Sequence, residues 1–277
     1  PAWGWESMDR MPVFPAAEAH RLAELFEEFN VRGKFTCLAM PAGRGRLDGA
    51  VRGYSADELN ELVGIVRDRI APRFDVTPEV LTHTMACDPE TGALLPHSET
   101  HWLSYLAREG RVEELAAYLR SAYRILADCG IRAHGTTVGG MPDLSGISRG
   151  ESFLTGHYRD VLAQALVEVE REFNPDVRTT FMFTGTPPGT PEGETLRAPE
   201  RLYTSDDGTG VFEVFSLVDP LWHLMHGRGD ASAVADAHIS HDLKQGLWVE
   251  EAEAGRAIVF TVHSFTLSSN GTGLGLR

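Results

Sequence analysis

The chain has 277 residues, 42% of them hydrophobic and 23% charged, with a formal net charge of −15. That composition suits a globular protein with a full core, and no apolar run approaches the ~20 residues of a membrane span. The negative balance opposes phosphate backbones and anionic bilayers, so neither nucleic acid nor a membrane is expected as partner.

The chain opens at Pro1 with no initiator Met, so a trimmed chain is the expectation. Three cysteines, Cys37, Cys87 and Cys129, are too few and scattered for a disulfide framework. Their odd number slightly favours a reducing, cytoplasmic setting.

Helix- and strand-like segments then alternate. Ala19, Leu22, Phe26 and Phe29 form a helical stripe behind Pro15. Gly33 to Met40 reads as a short buried strand. Ser55 to Glu58 is a capping-box pattern that opens a helix running to about Ile70. Pro78 to Thr84 is strand-like and ends in polar residues. Val112 to Cys129 is a strong amphipathic helix with Gly130 beyond its end.

Ile131 to Val138 is another strand, followed by a loop from Gly139 to Asp143. Tyr158 to Phe173 reads as a helix stopped by Asn174-Pro175, and Arg178 to Thr184 as a strand. Gly185 to Pro199 is a long loop, and Asp206-Asp207-Gly208 a turn before the strand Val211 to Leu217. Helical segments around Leu221 to Met225 and Ser240 to Ala254 precede a last strand, Arg256 to His263. Without a linker or repeat, this alternation points to one α/β domain, either a doubly wound sheet or a barrel. In barrels the reactive groups collect at the carboxyl ends of the strands.

Two polar clusters carry the candidate chemistry. His97 and His101 stand four residues apart in Pro96-His97-Ser98-Glu99-Thr100-His101-Trp102. With one carboxylate they would make a facial N2O site for a zinc-like ion. Thr82 to Asp88 precedes them and contains His83. As a strand-end residue, His83 could equally hold a backbone carbonyl.

These segments resemble the polysaccharide deacetylase (NodB-homology) family of carbohydrate esterases. Leu22 to Thr36 is similar to that family's first helix and the strand after it. His97 to His101 fits its H-[S/T]-x-x-H metal motif. Leu115 to Gly135 resembles the next helix and strand, Asp219 to Trp222 an Asp/Trp motif, and Ile258 to Leu267 the closing strand with its His.

The resemblance implies an irregular (β/α)-barrel and a metal-dependent hydrolase that deacetylates an N- or O-acetylated sugar. It implies a divalent ion, usually zinc, on Asp9, His97 and His101, with His263 as general acid. The family's paired aspartates are here a single Asp9, which cannot be both ligand and catalytic base, so Glu6 is the candidate for one of those two roles. Val80 to Asp88 also resembles the metal motif, with Cys87 in place of its second His, and this makes His83 a competing ligand. Trp5, Trp102 and Trp222 could stack on sugar rings, and Asp143 lies in the loop expected to meet substrate. Two other readings stand beside this one. One is a glycosidase pairing Glu6 or Asp9 with Asp143 or Asp219; the other is a carbohydrate-binding protein with a decayed site.

Overall fold

The computed structural model describes residues 14–138, 157–185 and 199–216, together with residue 253. Helix α1 (Ala16–Glu28) starts at Pro15 and buries Ala16, Ala19, Leu22 and Ala23. Phe26 reaches Phe74 at 4.4 Å between ring centroids. Phe29 lies past the helix end and is 67% exposed, so the apolar stripe stops one residue short of its expected limit.

Strand β1 (Gly33–Thr36) follows, then α2 (Ala56–Ile65), which continues into a π turn at Val66–Ile70. Ser55 caps α2, its side chain accepting from the Glu58 N–H at 3.2 Å, as the capping pattern requires. Strand β2 (Phe74–Thr77) runs parallel to β1, with Gly33 opposite Phe74 and Thr36 opposite Thr77.

The chain from Pro78 to Thr84 is irregular, against the expectation of a strand there. Val80 and His83 both have positive φ, +45° and +66°. A short antiparallel pair, β3 (Met85–Cys87) and β4 (Leu94–Ser98), leads into α3 (Glu99–Arg108). Helix α4 (Val112–Asp128) buries Leu115, Leu119, Ala122, Ile125 and Leu126 completely. It ends on Gly130 at φ +74°, whose N–H returns to Ala127 while the Ile131 N–H returns to Leu126.

Strand β5 (Thr136–Val138), α5 (His157–Phe173) and β6 (Thr179–Gly185) follow, then β7 (Glu200–Thr204) and β8 (Gly210–Ser216). Strands β5, β6 and β8 are parallel neighbours, with β7 antiparallel at the edge. Two parallel bridges, Val76 to Ala133 and Glu79 to Thr137, join β2 to the β5 segment. The run is therefore β1-β2-β5-β6-β8-β7, open among the described residues. No helix among them is long and apolar enough to cross a membrane.

One face of this run packs on α4 and α5, where Leu162, Ala163, Ala165, Leu166, Val167, Met182 and Val211 are fully buried. Alternation along β6 sends Thr180 to a hydrogen bond with Glu170 of α5. Phe181 and Phe183 go to the opposite face, where they meet His134 and Lys34.

Candidate functional site

The carboxyl ends of β1, β2 and β5 bring together a polar group that no single stretch of sequence contains. Glu79 leaves β2 and pairs with His83, Oε1 to Nδ1 at 2.7 Å. Burial disfavours the imidazolium, but the Glu79 charge and hydrogen bond outweigh it and raise His83 to about 9. Its Nδ1 thus bonds a carboxylate, where the sequence alone offered either a metal ion or a backbone carbonyl.

The loop carrying this pair is held by Glu99, only 3% exposed at the start of α3. Its Oε1 accepts from the Leu81 N–H (3.1 Å), the Thr82 N–H (2.8 Å) and the Tyr118 hydroxyl (2.8 Å). Its Oε2 accepts from the His83 N–H at 2.7 Å. Burial pushes the carboxyl up, opposed by these donors and by the charge on His83. Four donors converging on one carboxyl suit the ionised form, which accepts only. The backbone amides of residues 81–83 turn toward that charge, so the segment cannot continue the strand.

On the face opposite the helices, Thr137 is a hub. Its Oγ1 takes a hydrogen bond from Lys34 Nζ at 2.8 Å and shares others with Thr77 (2.9 Å) and Thr36 (3.3 Å). Lys34 Nζ also lies 4.8 Å from the Phe183 ring centroid. Burial lowers the amine to about 8, partly offset by the charge of Glu79.

The expected ligands His97 and His101 lie at the junction of β4 and α3. Ser98 caps α3, accepting from the His101 N–H at 3.2 Å, and its hydroxyl also meets His101 Nδ1 at 2.9 Å. His97 is exposed and stacks on Trp102 at 6.2 Å, with ring planes 8° apart. Trp102 is itself stacked with Tyr105 at 5.8 Å. The two imidazoles therefore do not share one helical turn. Among the described residues no group of three His, Cys, Asp or Glu could hold a metal ion. Asp9, Glu6, His263, Trp5, Asp143 and Trp222 lie outside the described residues.

Cys87, which stands where the resemblance would have a second His, is fully buried with its Sγ 3.9 Å from Met40 Sδ. Burial pushes its thiol up to about 12. A second buried carboxylate, Glu170 of α5, accepts from Tyr123, Thr180, Asn174 and the Gly135 N–H, at 2.6 to 2.7 Å. The sequence reading missed Lys34, Glu79, Glu99 and the threonine hub. One signal was available: of 25 lysines and arginines only Lys34 and Lys244 are lysines. Set against protein-family models, curated proteins and solved structures, the chain matches none.

Proposed function

We propose that this chain is a metal-dependent hydrolase that removes an acyl group from a sugar or polysaccharide, built on an irregular (β/α)-barrel, with His83 as its first imidazole ligand. The observation that carries this reading is the Glu79–His83 pair at the carboxyl end of a parallel strand. A carboxylate on Nδ1 fixes the ring, the usual arrangement around a ligating histidine, and an ion bound through Nε2 would displace the proton that the Glu79 charge favours there near neutral pH. The residues present thus fit one ligand of a zinc-like site. Asp9 and one of His97, His101 and His263 are proposed for the others from the resemblance alone.

A divalent ion bound there supplies Lewis acidity at an acyl carbonyl and activates water near neutral pH. The chain's own residues do the rest. Glu79 holds the Nδ1 proton and keeps His83 oriented. Glu99 fixes the backbone from which His83 projects, so the ring enters the site without searching other loop conformations. Glu6 or Asp9 is proposed as base, and His263 as the acid that protonates the departing amine or alkoxide.

The test is metal content by elemental analysis, together with acetate release from acetylated amino-sugar oligomers. About one equivalent of zinc is expected in the wild type. His83→Ala should lose it with activity, and Glu79→Gln should weaken it about 10- to 100-fold. Full zinc retention in His83→Ala with loss in His97→Ala would reassign the ligand. Reducing-sugar release without acetate would replace deacylation by glycosidic cleavage.

A further inference from the structure

We infer that Lys34 is the docking point for the carboxylate of an acidic sugar, so that the substrate is a uronic-acid-containing saccharide. The sugar half of this statement rests on the function proposed above; the anion half rests on Lys34 itself.

An ammonium group has three donors. Lys34 spends one on Thr137, and no carboxylate of the described residues lies within the 4 Å of an ion pair. Thr137 cannot take more, because Lys34, Thr77 and Thr36 already use its single proton and two lone pairs. Glu79 is the carboxylate whose charge Lys34 feels, and it is committed to His83 at 2.7 Å. A half-buried cation with two donors that no described residue takes gains from an incoming anion, because the anion restores what burial removed.

The surroundings narrow the anion. Phe183 lies against the amine, with Phe181 next to it at 6.1 Å between centroids, offering apolar surface to the C–H face of a sugar ring. Thr36 and Thr77 add hydroxyls on the same side. One point charge, with no guanidinium fork beside it among the described contacts, matches a singly charged carboxylate better than a phosphate dianion. The scarcity of lysine sharpens the point, since arginine fills nearly every other basic position.

Two lysines give two ε-CH2 signals in protein carrying 13C-labelled lysine, with Lys244 as internal control. The full chain, treated with chelator to remove metal, is titrated with glucuronate, glucose and acetate. The Lys34 signal should titrate near pH 8 in the free protein and move saturably with glucuronate. Its midpoint should rise in the complex, and glucuronate should bind at least about tenfold more tightly than acetate. Glucose should leave it still, and Lys34→Met should remove the responding signal while Lys244 stays in place. No saturable shift, or an equal response to glucose, overturns the proposal; acetate binding as tightly as glucuronate overturns the sugar. Because the measurement needs no metal and no turnover, it fails or succeeds independently of the hydrolase reading.

Discussion

Replacing Glu99 by glutamine tests whether one carboxylate organises the loop that presents His83. Three donors converge on its Oε1 and one on its Oε2. In Glu99→Gln the new amide would keep its oxygen at the crowded position and turn its NH2 against the His83 N–H. One buried N–H then loses its partner, at about 1–3 kcal/mol, and three charge-assisted bonds fall to neutral strength. With each of the three falling by about 1 kcal/mol or slightly more, the sum is about 4–7 kcal/mol, a large share of the ~5–15 kcal/mol typical of a folded protein. Urea unfolding measures the loss, and amide hydrogen exchange at residues 81–83 locates it. Stability within about 1 kcal/mol of wild type, with those amides still protected, would refute the account.

Glu170→Gln should cost about 2–4 kcal/mol by urea unfolding, because Tyr123, Thr180 and the Gly135 N–H would share the retained oxygen while the Asn174 amide, the one donor on Oε2, would face the new NH2. Gly135→Ala should destabilise by more than about 1 kcal/mol in the same assay, since φ is +73° and a Cβ would lie 2.7 Å from the Phe181 carbonyl oxygen. The Glu79–His83 pair should make stability pH-dependent in metal-free protein. Folding raises His83 from 6.5 to about 9, so its contribution is complete below pH 6.5 and disappears as pH climbs through 9. Wild type should lose about 3 kcal/mol more than Glu79→Gln across that window, measured by unfolding at both ends. Lys34, lowered to about 8, works in the opposite sense above that pH, and losing the Glu79 charge lowers it further in Glu79→Gln, which widens the difference between the two proteins, so equal pH slopes in the two would sink the assignment.

Helices α1, α2, α4 and α5 were legible because each carries an apolar stripe and most carry a boundary signal, such as Ser55 or Gly130. Strands β6 and β8 were legible as β-branched and aromatic runs, the second opening after the turn at Asp206 to Gly208. The β3–β4 pair and α3 were not. Residues 85–98 include Gly92 and Pro96 and lack alternation, and α3 sends a glutamate to the core where the stripe would place an apolar residue. In the site, His83 was singled out, but not its partner Glu79. The Lys34–Thr137 contact spans 103 residues, and Gly33 to Met40 read simply as a buried strand. Periodicity says that a strand has two faces. It cannot say which distant strand lies beside it.

The His-x-x-x-His spacing shows how one pattern admits two physical origins. From one helical turn or a tight loop, residues four apart can point the same way, and that spacing suggested a facial metal pair. Here Ser98 is the cap of α3, so His97 belongs to the strand before it and His101 to the first helical turn. Ser98 is required by the helix start, and Glu99 by the amides of residues 81–83. Two of the three residues between the imidazoles thus have structural work that would preserve the pattern without any ion. The same junction nevertheless ties the two candidate clusters together, because the carboxylate that opens α3 also sets the backbone of His83. A ligand drawn from either cluster therefore depends on Glu99, and zinc affinity should fall in Glu99→Gln by more than it does in Ser98→Ala if His83 is the ligand. The order reverses if His101, held through the Ser98 hydroxyl at 2.9 Å, is the ligand instead.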